Sequence, residues 1–197
     1  MIRDKEDRCP WCLKDPVMLK YHDTEWGVPQ TKDKKLFEFL ILEGAQAGLS
    51  WITILKRRAG YAEAFAQFDP EKVATFPKRK IESLLGFEGI IRNRLKVESA
   101  ITNAKAFLKV QEEFGSFNQY QWQFVDGKPK QNSWKAIGQV PATTKESDAF
   151  SKDLKSRGFK FVGSTIMYAH MQAVGMVNDH LVGCPRHAAV SRISFKI

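Results

Sequence analysis

The stretch Ile41-Leu42-Glu43-Gly44-Ala45-Gln46-Ala47-Gly48-Leu49-Ser50-Trp51 joins two apolar-faced helices. Leu36, Phe37, Leu40 and Ile41 precede it at helical spacing, and Trp51, Ile52, Ile54 and Leu55 begin the next helix. Gly44 and Gly48 permit backbone conformations that end one helix and turn the chain. Ser50 stands where it can cap the following helix. Such a joint lets Glu43, Gln46, Leu49 and Trp51 converge on a pocket. Spacing alone favours an ordinary joint with a solvated glutamate; the rest of the chain reverses that preference.

Outward from this joint the pattern is helical and nearly free of period-2 alternation, so the expected class is all-α. Helices are expected over 33–43, 50–58 and 61–68. Asp69-Pro70, a cap followed by proline at the first helical position, opens a short helix through Phe76. Another starts at Pro77, with Ile81, Leu84 and Leu85 on one face. A long helix follows the Gly86–Arg94 turn and ends near Phe114-Gly115, its stripe including Ile90, Ile91, Val97, Ile101, Ala104, Phe107 and Leu108. Shorter helices are expected within 117–125 and over 147–157 and 164–173. Residues 126–146 read as a polar loop, and the tail after Gly175 as irregular.

The chain has 197 residues, 43% of them hydrophobic, enough for one compact domain or two small lobes. Residues 1–197 are read as a single domain. No apolar run approaches the length needed to span a bilayer, and no membrane partner is expected. Met1-Ile2-Arg3-Asp4-Lys5-Glu6-Asp7 lacks an apolar signal core, so a cytoplasmic location is expected. Three cysteines without an export signal argue against a disulfide framework. A formal net charge of +9 suits a polyanion such as nucleic acid, although lysine-rich surfaces also serve solubility. No heptad seam suggests an obligate partner, and a monomer is expected.

Residues 77–114 have the layout of a helix-hairpin-helix element. Outward-facing amides at Gly86, Gly89 and Ile90, with the following helix N-terminus, would hold a phosphate without reading a base. Arg92, Arg94 and Lys96 lie just behind. The two glycines are separated by two residues, where the commonest hairpin of this kind has one, and a plain αα-turn fits the spacing as well.

Cys9, His22, His180 and Cys184 lie in the irregular segments near the two ends, 9–22 and 180–184. Two cysteines and two histidines match a closed tetrahedral structural zinc site, which would staple both segments. Cys12 and His187 are spare ligands, and unligated buried cysteines are the alternative.

Taken as a set, several motifs closely resemble the bacterial 3-methyladenine DNA glycosylase I family, the TAG type. They are Cys9–Trp11, Tyr21-His22-Asp23-x-Glu25-Trp26-Gly27-Val28-Pro29, Leu42–Thr53, Gly89-Ile90-Ile91-Arg92, Gly158–Gly163 and Val177-Asn178-Asp179-His180-x-x-Gly183-Cys184. The resemblance spans roughly residues 8–185. It implies a two-lobed helix-hairpin-helix glycosylase fold with a base pocket between the lobes. It implies monofunctional excision of 3-methyladenine from double-stranded DNA, and structural Zn2+ on Cys9, His22, His180 and Cys184. Glu43, Tyr21 and Trp51 carry over as pocket residues, with Trp11 and Trp26 as further aromatic walls or supports and Gln46 beside them.

The chemistry of that reaction asks for these residue types. A base inside a duplex must be rotated out of the stack. Leu49, at the apex of its turn, is the candidate wedge. The methylated base is cationic while attached to the sugar, which suits aromatic walls at about 0.5–2 kcal/mol per good contact. Glu43 can accept a hydrogen bond from the exocyclic amine and balance the charge. A cationic base leaves without protonation, so no dedicated general acid is required. Lys96 has no neighbours in sequence that suggest activation by desolvation, and no strand-cleaving lyase activity is expected. A non-catalytic binder of damaged DNA and a zinc-stapled interaction protein rank below the enzyme.

Overall fold

The structure is a computed structural model that describes residues 7–196. The charged start Met1–Glu6 lies outside the described residues. The helices among them are α1 (Pro16–Thr24), α2 (Asp33–Gln46), α3 (Trp51–Leu55), α4 (Arg58–Ala64), α5 (Pro70–Ala74), α6 (Lys78–Gly86), α7 (Arg94–Phe114), α8 (Phe117–Trp122), α9 (Lys145–Ser156), α10 (Ser164–Ala173) and α11 (Pro185–Ser191). A two-residue parallel pairing of β1 (Lys130–Gln131) with β2 (Val177–Asn178) is the exception to a helical chain.

Helix α2 is the centre. It packs against α7, α8 and α10, while α7 also meets α5 and α6, and α10 meets α9. Every residue from Phe39 to Ala45 is buried, so this helix turns no face to water over its second half. Phe37 meets the Phe107 ring at 5.1 Å, and Phe107 stacks on Phe117 at 4.3 Å. Asp33 anchors α8 as well, accepting from the amides of Phe117 and Asn118 at 2.8 and 2.9 Å. A helix enclosed in this way carries a glutamate inward wherever the sequence places one.

Several local expectations change. Helix α2 continues past Gly44 to Gln46: Gly44 keeps helical backbone, and an added Cβ there would lie in ordinary contact with Phe161, 3.4 Å from its Cβ. Gly48 makes the turn, with φ +75°. The helix expected over 50–58 is α3, which stops at Leu55, and α4 starts at Arg58, ahead of the helix expected from Tyr61. The third expected helix ends at Ala64, and Ala66–Phe68 adopt positive φ of 51–57°. Ile90 and Ile91 belong to the hairpin, since α7 begins at Arg94 with the Asn93 side chain accepting from the Lys96 amide. The expected irregular tail contains β2 and α11. The Asp69 cap holds, its side chain accepting from the amides of Glu71 and Lys72. None of the helices among the described residues is long and apolar enough to cross a membrane.

Crossing of the two ends brings the irregular segments together. The Gly27 amide donates to Gln172 O and the Gln30 amide to Val174 O, both at 3.0 Å. This lays the segment after α1 along the end of α10.

Candidate active site and metal cluster

A cavity of about 330 Å³ opens beside α2. Trp11, Met18, Tyr21, Trp26, Glu43, Gln46 and Trp51 line it on one side. Ile137, Val140, Ala169, Gln172 and Asp179 complete it. All six residues expected to hold a base are therefore brought to one cavity. A smaller neighbouring space shares Glu43, Gln46 and Ala169 and reaches Gly48 and Leu49. Leu49 itself is exposed at its rim.

Glu43 is 4% exposed and has no hydrogen-bond partner among the described residues. Burial pushes its carboxyl up to about 8. Among the described residues no cation compensates its charge, so burial favours the protonated acid near neutrality. Tyr21 is buried beside it. Burial, reinforced by the charge of Glu43, lifts the phenol well above its ordinary range and keeps it a neutral hydroxyl. The Tyr21 and Trp51 rings meet at 5.5 Å and 53°. The buried Trp51 Nε1 is without a partner. Trp11 and Trp26 pack edge-on at 5.0 Å. Trp26 serves two regions: it lines the cavity, and its ring lies 4.6 Å from the His180 ring, edge to face.

Asp179 is the wall residue that local patterns did not single out. Its Oδ1 accepts from Asn132 Nδ2 at 2.6 Å and Trp134 Nε1 at 2.8 Å. Its Oδ2 accepts from the Tyr168 hydroxyl at 2.5 Å and Gln172 Nε2 at 2.8 Å. Four donors fill the lone-pair sites of one carboxylate. Asp179 thereby ties the 126–146 loop, which supplies Ile137 and Val140, to α10. Its donors are 7 to 47 positions away, so only its adjacency to His180 in Asn178-Asp179-His180 hinted at a role.

Behind the Trp26 wall, Cys9, His22, His180 and Cys184 are all buried, with one ligand atom from each within 4.8 Å of the others. His22 Nε2 and His180 Nδ1 are 3.1 Å apart. Cys184 Sγ lies 3.6 Å from His22 Nε2 and 3.9 Å from His180 Nδ1, and Cys9 Sγ lies 3.9 Å from His180 Nδ1. A tetrahedron with bonds of about 2.0–2.3 Å to nitrogen and sulfur has edges of roughly 3.3–3.8 Å, so the donor set fits a metal ion. The other ring nitrogens are oriented from outside: His22 Nδ1 meets Asp23 Oδ1 at 2.8 Å, and His180 Nε2 meets Trp26 O at 3.0 Å. Asp23 is in turn gripped by Arg8 at 2.9 Å. Such outer partners fix the tautomer of a ligating imidazole. The spare ligands are engaged elsewhere. Cys12 Sγ donates to Cys9 O at 3.1 Å, and His187 Nε2 lies 2.7 Å from Asn132 O.

The hairpin between α6 and α7 is pressed onto α4. A Cβ on Gly60 would lie 2.3 Å from Gly89 O, so Gly60 and Gly89 permit a backbone-to-backbone approach no larger residue allows. The Ile91 amide donates to the Tyr61 hydroxyl at 3.2 Å. The amides of Gly89 and Ile90 have no protein acceptor among the described residues. Gly86 is exposed as the last residue of α6. Arg92 is exposed, whereas Arg94 makes a two-pronged pair with Glu82 at 2.9 Å. Lys96 corrects the expectation that nothing desolvates it: burial lowers its pKa. Its ammonium is nonetheless committed, donating to Ala45 O at 2.8 Å and Ala47 O at 2.7 Å.

Fold and site together define a helical protein with an aromatic, carboxylate-bearing cavity within the size range of small-molecule sites. The sequence pattern of the methyladenine glycosylase family matches residues 11–187, and the chain belongs to that family. It is 51% identical over 178 residues to DNA-3-methyladenine glycosylase 1 of Escherichia coli (strain K12), covering 90% of this chain and 95% of that protein. It is 47% identical to the DNA-3-methyladenine glycosylase of Haemophilus influenzae, covering 90% and 96%. The solved 3-methyladenine DNA glycosylase I of Staphylococcus aureus, described for its recognition of 3-methyladenine, superposes with a TM-score of 0.89 at 39% identity, covering 95% and 97%.

Proposed function

We propose that this chain is a DNA-3-methyladenine glycosylase, hydrolysing the N-glycosidic bond of 3-methyladenine in alkylated double-stranded DNA without cleaving the strand. The observation that carries the reading is Glu43: a buried carboxyl with no hydrogen-bond partner among the described residues, set among Tyr21, Trp51, Trp11 and Trp26 in a cavity of about 330 Å³. A carboxyl left unpaired inside a protein is costly unless a ligand completes it. A cationic base does so twice, through its charge and its exocyclic amine. Entry of that cation favours release of the Glu43 proton to solvent, and the carboxylate then stabilises the base. Neutral adenine does not draw off this proton and loses the charge attraction, which is the proposed origin of selectivity.

Leu49 is proposed to fill the stack vacated by the everted nucleotide, and the Gly86–Arg92 hairpin to hold phosphate through the free amides of Gly89 and Ile90 with Arg92. Arg94 contributes less, its guanidinium being paired with Glu82. Lys96 is no Schiff-base nucleophile in this scheme, since its ammonium is held by two carbonyls. Zn2+ is the ion proposed for Cys9, His22, His180 and Cys184, where it would tie the two ends and fix Trp26. The proposed setting is a single-domain, two-lobed, monomeric helix-hairpin-helix enzyme in the cytoplasm.

Chromatographic detection of free base released from alkylated duplex DNA tests the reading, with Glu43→Gln alongside. Release of 3-methyladenine by the native chain, sharply reduced in the variant and without strand scission, is the expected result. Tight DNA binding with no base released would sink it.

A further inference from the structure

The C-terminal end of α2 carries Glu43 and Gln46 into the cavity and then turns through Ala47–Ser50 to present Leu49. Helix ends leave their last carbonyls without amide partners, and a lysine there can satisfy them. Here the donor comes from another element. Lys96 lies in the first turn of α7, immediately after the hairpin, 49 and 51 residues away from the carbonyls it meets. Its Nζ spans Ala45 O and Ala47 O, the two carbonyls flanking Gln46. The same turn of α7 is capped by Asn93, whose Oδ1 accepts from the Lys96 amide at 3.1 Å.

We infer that Lys96 is a positioning residue that fastens the Ala45–Ser50 junction to the start of α7, so that the hairpin's grip on phosphate sets where Leu49 stands relative to the base cavity. Lys96 does not line the base cavity, and its ammonium bonds the two carbonyls. The inference rests on the glycosylase reading for its kinetic arm only. Lys96→Met keeps the aliphatic stem and removes the three donors. Lys96→Arg keeps the charge but replaces the compact ammonium with a larger planar fork.

The experiment has two arms on the full chain. In the first, amide hydrogen exchange is followed at Ala47 and Leu49; at least tenfold faster exchange in Lys96→Met is expected, with amides in the middle of α2 unchanged. In the second, single-turnover excision from alkylated duplex is compared with the affinity for free 3-methyladenine. Excision is expected to fall about tenfold or more in Lys96→Met, with a smaller loss in Lys96→Arg, while free-base affinity stays within twofold. Unchanged exchange at the turn, or equal losses of excision and free-base affinity, would overturn the inference. Lys96→Arg serves the same comparison if Lys96→Met does not fold. A native chain that binds free base but releases none from DNA would instead defeat the glycosylase reading, and the exchange arm would still decide the role of Lys96.

Discussion

Two buried polar regions share the Trp26 wall and are built on opposite rules. In the Cys9–His22–His180–Cys184 cluster each imidazole nitrogen faces a partner, and the surrounding Asp23, Arg8 and Trp26 carbonyl orient the rings. In the cavity, Glu43 faces aromatic rings and has no hydrogen-bond partner among the described residues. Asp179 repeats the contrast within the cavity itself: it accepts four hydrogen bonds and is spent on structure, whereas Glu43 accepts none and is open to a ligand. A saturated buried group stabilises an arrangement; an unsaturated one costs stability and is retained where binding completes it.

The largest expected effect comes from breaking the saturated region. Removal of the proposed zinc with a strong chelator should detach both end segments and lower the melting temperature by roughly 10 °C or more, at about 2–4 °C per kcal/mol for a chain of this size. Calorimetry with and without chelator measures it, and an unchanged transition would show the cluster holds no structural ion.

The next effect comes from the unsaturated region. Glu43→Gln should reduce excision on the order of 10²-fold or more, because an amide cannot balance the cationic base. The same variant should be no less stable than the native chain at pH 8.5, since it buries no charge. A variant both inactive and unfolded would assign Glu43 to structure instead.

A smaller effect is the pH dependence of stability. The folded-state pKa of Glu43 is raised to about 8, above that of an unfolded glutamate. Between the two values the native state holds a proton that the unfolded chain has shed. The contribution from Glu43 is therefore fully present below the unfolded pKa and is lost as pH rises through about 8. Urea melts at pH 5.5, 7 and 8.5 should show this fall, and Glu43→Gln should remove it. The smallest effect is at the hairpin. Arg92→Ala should weaken DNA binding uniformly across sequences and lower the magnitude of the salt slope by about 1, while Arg94→Ala, already paired in the protein, should lower it less.

Legibility followed locality. Asp69-Pro70 announced α5 because cap and proline act on adjacent amides, and the 164–173 pattern matched α10 residue for residue. Gly44 misled because it keeps helical backbone inside α2, and the left-handed turn is made four residues later by Gly48. Ile90 and Ile91 matched the apolar stripe of α7 yet lie in the hairpin, where Ile90 is buried and the Ile91 amide meets Tyr61. Lys96 looked undistinguished because desolvation depends on elements that sequence does not place.

The sequence by itself determined the helical class, the family, the four candidate metal ligands and six of the residues that meet in the cavity, Tyr21, Glu43, Gln46, Trp11, Trp26 and Trp51. The class rests on local spacing and the metal ligands on residue types whose chemistry is intrinsic, thiols and imidazoles, whereas the base-pocket residues rest on the resemblance of whole motifs to the family. Only the tertiary structure decided which polar groups are already satisfied. Glu43 and Asp179 are both buried carboxyls, and nothing local to either says that one accepts four hydrogen bonds and the other none. That difference is made by donors brought from distant parts of the chain, and a buried charge takes its character from what surrounds it.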